Sequence, residues 1–277
     1  METLSGKSDP IFKAARKQVR KVLNPLAQGA APSDEDIHAI RVCSKKLRAL
    51  LQLYRPGNAK ADIKQVEQLL QQLDNSYAGL RDAHVQEKTL SRVISQLPFE
   101  DQAEMQPLLN YFATNNRQAS EQVKPIAAHQ GFADILQLWQ QQLRLKHRSD
   151  PGKGLDYSYR RARKLALDAH ASGEDETYHQ CRKWTKYYLY QAQLLCERKA
   201  AKPSITLLKQ LGEQLGLFQD HCVLEDSLLQ SPAQQPELAN LSQLALLAIE
   251  QQKTLDKEIA RQLFEQLYQH PHVPLAC

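Results

Sequence analysis

The pattern H-x-x-R-x-x-x-K occurs twice, at His38, Arg41 and Lys45 and again at His179, Arg182 and Lys186, 141 residues later. Other markers repeat in the same order. Leu70-Gln71-Gln72-Leu73 matches Leu208-Lys209-Gln210-Leu211, and Leu80-Arg81-Asp82-Ala83-His84-Val85 matches Phe218-Gln219-Asp220-His221-Cys222-Val223, both 138 residues on. Upstream, Ala14-Ala15-Arg16-Lys17 echoes Arg161-Ala162-Arg163-Lys164. A single match of this kind is weak, but several in one order argue for internal duplication. The strongest break, Ser149-Asp150-Pro151-Gly152-Lys153-Gly154, falls between the copies. The expected organisation is one domain over 10–268: a first repeat over 10–148, a linker over 149–154 and a second repeat over 155–268.

Each repeat reads as helix. Leu, Gln, Ala, Lys and Glu dominate, no β-branched runs occur, and Gly and Pro fall between periodic stretches. Pro32-Ser33-Asp34-Glu35-Asp36 is a helix start, with Ser33 as N-cap and Asp36 at the third helical position. Arg55-Pro56-Gly57-Asn58 is a stop. Pro236 suits the first position of a long helix running to Tyr268. About ten helices in all are expected. The fold class is therefore all-α, as two packed helical bundles related by an approximate two-fold. No Gly-rich phosphate loop is present, which argues against a nucleotide-binding fold.

Composition narrows the setting. Mean hydropathy is -0.56, and no apolar run approaches the roughly 20 residues of a membrane helix. Met1 to Pro10 lacks an apolar secretory segment. Cys43, Cys181, Cys196, Cys222 and Cys277 are scattered and form no CxxC pair, so they are expected to be reduced thiols. Together these features point to the cytoplasm, with no membrane partner.

The net charge of +5 is modest, but the basic residues are segregated. Residues 11–23, 37–60 and 157–167 contain cations and no acid. Such segregation creates local positive potential that a net charge hides. At 3.6 residues per turn, His38, Arg41, Lys45 and Arg48 share an arc of roughly 80°, and His179, Arg182 and Lys186 one of roughly 60°. Lys13, Arg16, Lys17 and Arg20 share a face about 100° wide, and so do Arg160, Arg163 and Lys164. Lys46 follows Lys45 directly, and Lys183 lies among the aromatics Trp184, Tyr187, Tyr188 and Tyr190. Like charges one turn apart disfavour a helix by a few tenths of a kcal/mol per pair. Four helices carrying that cost imply a use for it, and an extended anion is one. Arg offers paired donors to phosphate oxygens, Lys a mobile point charge, and His beside phosphate favours its protonated form. The aromatics could stack bases, but core and helix–helix contacts are the simpler reading, with Trp184 and Tyr188 one turn apart.

Residues 37–48, Ile-His-Ala-Ile-Arg-Val-Cys-Ser-Lys-Lys-Leu-Arg, resemble the signature helix of the CHAD family, the conserved histidine α-helical domain. Residues 178–190 resemble its second signature helix, and Arg81-Asp82-Ala83-His84-Val85 and Gln219-Asp220-His221-Cys222-Val223 resemble its (R/N)-D-x-x-V elements. The resemblance runs from about Pro10 to Tyr268. It implies two tandem four-helix bundles with pseudo-two-fold symmetry around a basic central cavity that binds inorganic polyphosphate without catalysis, at polyphosphate granules where these form. By position it assigns phosphate binding to His38, Arg41, Lys45 and Arg48, to His179, Arg182 and Lys186, and to Arg16, Arg20, Arg160 and Arg163. Lys13, Lys17, Lys46, Lys164 and Lys183 complete the candidate set. Tyr187 and Leu189 stand where the family commonly has basic residues, and Gln219 replaces the counterpart of Arg81. The second repeat is therefore expected to make fewer phosphate contacts, with Lys186 the weakest assignment.

Competing classes each have a discriminating feature. A phosphohydrolase would need carboxylates for divalent metal among the basic faces. Asp82 and Asp220 are the exceptions there, and they read better as helix N-caps or partners of a buried Arg, so no catalytic residue and no cofactor is expected. A zinc site from His38, His84, His179 and His221 conflicts with the cations beside His38, and His84 and His221 suit structural polar roles, so no metal is expected. General polyanion or nucleic-acid binding is the main alternative. It would weaken with salt as polyphosphate binding does, and competition between the two ligands separates them.

Overall fold

Helix-start chemistry explains most of the element boundaries. In the computed structural model, residues 9–26, 33–57, 59–122, 127–145, 147, 150–196, 198–230, 232 and 235–270 are described, with backbone only for 34, 78–84, 116–122 and 198–200. The Asp9 carboxylate accepts from the amides of Ile11 and Phe12 and opens α1 (Pro10–Leu23), whose first residue is a proline lacking the donor that would go unpaired there. Ser33 and Asp36 form the expected reciprocal capping box at the start of α2 (Asp34–Leu51). The chain does not stop there but tightens into a 3-10 segment, Gln52–Gly57. The next elements are α3 (Lys60–Ser76), α4 (Ala78–Ile94), the short α5 (Phe99–Glu104), α6 (Gln106–Gln122) and α7 (Ala128–Trp139), which ends in a π-helical turn, Gln140–Arg144.

The second half begins earlier than the sequence break implied. α8 (Pro151–Ser172) starts inside the segment read as a linker, because Asp150 caps it and Pro151 takes its first position. Gly154 shows why that turn is glycine-rich: a Cβ there would come within 2.6 Å of the Leu53 Cα. α8 thus presses its first turn onto the 3-10 segment that follows α2. It ends at Gly173, which adopts φ +67° and closes the helix in the left-handed conformation. Then follow α9 (Asp175–Leu195), α10 (Arg198–Gln230) and α11 (Pro236–Leu267), the last opening on Pro236 as expected. Gly212 and Gly216 lie inside α10, not between helices. The described residues are helical or connecting, with no strand among them, so the all-α class holds.

Three apolar clusters hold the helices together. One joins α1, α2, α3 and α7 around Ile40, Leu47, Val66, Phe132 and Trp139. A second joins α8, α9, the first part of α10 and the end of α11 around Tyr159, Cys181, Tyr188, Leu211 and Phe218. The third is shared between the halves: Leu90 and Val93 of α4 and Leu108 and Phe112 of α6 pack against Leu224 and Leu228 of α10 and Ala245 and Ile249 of α11. The aromatics of α9 belong to the core, as the simpler reading had it. Trp184 meets Tyr157 and Tyr187 edge-on, at 5.6 and 5.5 Å between ring centres, while Tyr188 meets Tyr159 and not Trp184.

Cys43, Cys181 and Cys222 are free, and burial pushes each thiol up to about 12. Cys196, at the end of α9, is disulfide-bonded, so the expectation of five reduced thiols fails there; isolated cysteines carry no spacing that would announce a bridge. Cys277 lies outside the described residues. Among the described residues, no helix is long and apolar enough to cross a membrane.

Candidate functional site

The two signature helices pack against each other, and that contact arranges the cations. Ala49 of α2 is fully buried in the second half's core, and its carbonyl accepts from the Gln191 side-chain amide of α9 at 2.6 Å. On α2, Arg41, Lys45 and Arg48 lie on one side of Ala49 and Lys46 on the other. α9 therefore runs between two groups of α2 cations.

The first group surrounds an acid that comes from another helix. Arg48 Nη2 lies 2.8 Å from Asp74 Oδ2, near the end of α3. Arg41 Nη1 donates to the Tyr77 carbonyl, where α3 ends, at 3.5 Å, and Arg41 and Lys45 also act on Asp74. Burial raises the Asp74 carboxyl above its ordinary value, against the pull of Arg48, the Ser44 hydroxyl, Arg41 and Lys45. From α9, the buried Tyr187 phenol closes this cluster beside Arg48 and Asp74. The α2 face is thus not acid-free: its own helix has no carboxylate, but α3 supplies one.

On α9 the cations meet glycines. Arg182 passes Gly216, where a Cβ would lie 3.8 Å from its Nε. Lys186 lies flat on Gly212, where a Cβ would come within 2.9 Å of its Cε and 3.0 Å of its Nζ. Burial, and then the neighbouring Arg182, lowers the Lys186 pKa below the ordinary lysine value; Glu213 opposes this. His179, one turn before Arg182, shares a hydrogen bond between its Nδ1 and the Gln219 Oε1.

One turn past Lys186, the stripe reaches Tyr190. Its half-buried ring lies 6.0 Å from the Lys46 ammonium, and Arg182 acts on its phenol. Tyr190 and Lys46 form one wall of a pocket of about 240 Å³, completed by Lys17, Gln18 and Lys21 of α1, Leu50 of α2, and Gln193 and Leu194 of α9. The lining contains no carboxylate. Sequence reasoning found Lys17 and Lys46. It missed Lys21, although Lys21 follows Lys17 by one turn, and it treated Tyr190 only as an aromatic among cations.

The other candidates are dispersed or already engaged. Lys13, Arg16, Arg20, His38, Lys164 and Lys183 are exposed. Arg160 pairs with Asp156 on its own helix at 2.8 Å. Arg163 Nε donates to the Tyr268 carbonyl at 3.0 Å, which ties α8 to the end of α11. Asp82 and Asp220 lie beyond the first turns of α4 and α10, so neither caps a helix. The side chain of His84 lies outside the described residues. His221 is buried between α10 and α11, its Nδ1 2.7 Å from Asp256, whose other oxygen accepts from Gln214 at 2.6 Å. That network satisfies its own polar groups in the core, as a structural role requires.

The architecture defines an all-helical protein with its cations gathered where two central helices meet. The chain belongs to the CHAD domain family, whose model matches residues 11–229. Two solved structures resemble it along nearly their full lengths. PptA from Streptomyces chartreusis aligns with a TM-score of 0.64 at 17% identity, over 95% of this chain and 99% of that one. The crystal structure of the CHAD domain from the plant Ricinus communis aligns with a TM-score of 0.62 at 20% identity, over 96% and 92%. At these identities the likeness is one of fold. No curated protein matches the chain.

Proposed function

We propose that the chain binds inorganic polyphosphate as a linear polyanion and performs no chemistry on it. One observation carries this reading: the pocket between α1, α2 and α9 presents Lys17, Lys21 and Lys46 with no carboxylate in its lining, at the end of the Arg182–Lys186–Tyr190 stripe. A chain of repeated phosphates can follow that track, one charge after another, where a compact anion would use only part of it. Each charge-assisted hydrogen bond contributes about 1.5–3 kcal/mol, so a few of them together hold a polymer firmly.

The nearest acid to the signature cations, Asp74, is bound to Arg48 and does not stand in a pair suited to a divalent metal. Binding without hydrolysis fits that arrangement. The proposed setting is cytoplasmic, with polyphosphate granules as the place where such a module would gather. The two-bundle organisation over 10–148 and 155–268 belongs to the same proposal.

The test is calorimetric titration with long-chain polyphosphate of the wild-type chain, of the Lys17→Ala/Lys46→Ala/Lys186→Ala variant and of the His38→Ala/Arg41→Ala/Lys45→Ala variant. Each triple variant should weaken binding by roughly tenfold or more, at over one kcal/mol per lost contact. Unchanged affinity in both would remove the site.

A further inference from the structure

We infer that Asp74 is an internal substitute for a ligand phosphate: it holds the α2 cations closed, while the α9 cations, lying over Gly212, stand open to the polymer. This rests on the proposed polyanion binding and adds an order of engagement within the same site.

The argument compares two positions. Gly212 follows Asp74 by 138 residues, the separation that relates Leu70 to Leu208 and Leu73 to Leu211. At the first position a carboxylate reaches the signature helix, and Arg48 pairs with it at 2.8 Å. At the second there is no side chain, and the Lys186 stem occupies the space that a Cβ would need. Among the described residues, the Lys186 ammonium has no carboxylate within ion-pair reach; Glu213 acts on it only from further away. One signature helix thus has its counter-anion built in, and the other lacks one.

A half-buried ion pair such as Arg48–Asp74 opposes an incoming anion in two ways. The acid repels the phosphate, and the guanidinium must leave one partner to meet another. The α9 face carries neither cost, since a phosphate arriving there supplies the charge that Lys186 and Arg182 lack. The polymer should therefore contact Arg182 and Lys186 first, and take Arg48 only by displacing Asp74. This reverses the expectation from motif matching, which ranked the second repeat as the weaker half.

The experiment measures polyphosphate affinity for the full chain and three variants. Asp74→Asn removes the substitute and should tighten binding about tenfold, the equivalent of one charge-assisted contact. Gly212→Asp places a carboxylate beside Lys186 and should weaken binding by a similar factor. It is tolerable in the fold: the atoms its Cβ would meet are the far end of a flexible side chain, and Asp is no worse than Gly within a helix. Glu67→Gln removes the same charge from the same face of α3 without touching Arg48. An unchanged or weakened Asp74→Asn overturns the inference, and so does an equal gain in Glu67→Gln, which would reduce the effect to net charge. Should Asp74→Asn fail to fold, Gly212→Asp decides alone: weaker binding supports the inference and unchanged binding overturns it. A wild-type chain that takes up no polyphosphate would overturn the proposed function itself, and this inference with it.

Discussion

Gln191 of α9 donates its side-chain amide to the carbonyl of Ala49 on α2, 2.6 Å away and fully buried. This is the hydrogen bond that joins the two signature helices, and it fixes which cations fall on either side of α9. The Ala49 carbonyl also accepts from the Gln52 amide, so losing Gln191 does not orphan it. Gln191→Ala should therefore cost about 1–2 kcal/mol of stability in chemical denaturation, from a lost hydrogen bond and lost packing. Stability unchanged from wild type would mean that the helices are held by apolar contact alone.

Arg163 separates a sequence-based expectation from the structure. Its guanidinium serves the Tyr268 carbonyl at the end of α11. Arg163→Ala should lower the thermal midpoint, at roughly 1–3 kcal/mol for a bond to a charged group, and change polyphosphate affinity less than twofold. A large loss of affinity without a change in the midpoint would return Arg163 to the binding site.

Trp184 is buried between Tyr157 and Tyr187. Trp184→Ala should destabilise the chain by about 3–5 kcal/mol, the usual cost of emptying such a site, with a smaller effect on affinity measured well below the midpoint. A loss of affinity with stability intact would make the ring a ligand contact.

Lys186 gives a pH signature. Burial and Arg182 set its pKa below the ordinary 10.5, so as pH rises it loses its charge before an exposed lysine does. A bound polyanion favours the ammonium and raises that pKa. Binding should then take up protons in mildly alkaline solution, and affinity should fall as pH rises through the lowered value. Titrations in buffers of different ionisation enthalpy measure this uptake, which Lys186→Met should abolish. The same sign governs stability: a lysine whose pKa is lowered by folding destabilises the fold while it is charged. Lys186→Met should therefore raise the denaturation midpoint at neutral pH. Equal proton uptake in wild type and variant would contradict this account.

Much of the architecture was legible because its signals are local. The Ser33–Asp36 capping box and the proline at the start of α11 are read from neighbours in the chain, and the apolar role of Trp184 and Tyr188 from their one-turn spacing. The site was legible in part, since helix periodicity alone groups Arg41, Lys45 and Arg48. What escaped was set by residues far away in sequence. Asp74 enters the α2 face from α3, the Tyr268 carbonyl claims Arg163 from 105 residues on, and α4 and α6 share a core with α10 and α11. Gly212 and Gly216 read as punctuation, yet they sit inside α10 and leave room for two α9 cations. No pattern within a single helix encodes which side chain a neighbouring helix brings to it.

The most direct measurement is calorimetric titration of the wild-type chain with long-chain polyphosphate, beside pyrophosphate and single-stranded RNA of matched charge, at one salt concentration. The account predicts tight binding to polyphosphate, weak binding to pyrophosphate, which covers too little of the track, and markedly weaker binding to RNA, whose bases the lysine pocket does not use. Equal affinity for RNA and polyphosphate would contradict it, and would reduce the site to a general basic surface on a CHAD fold.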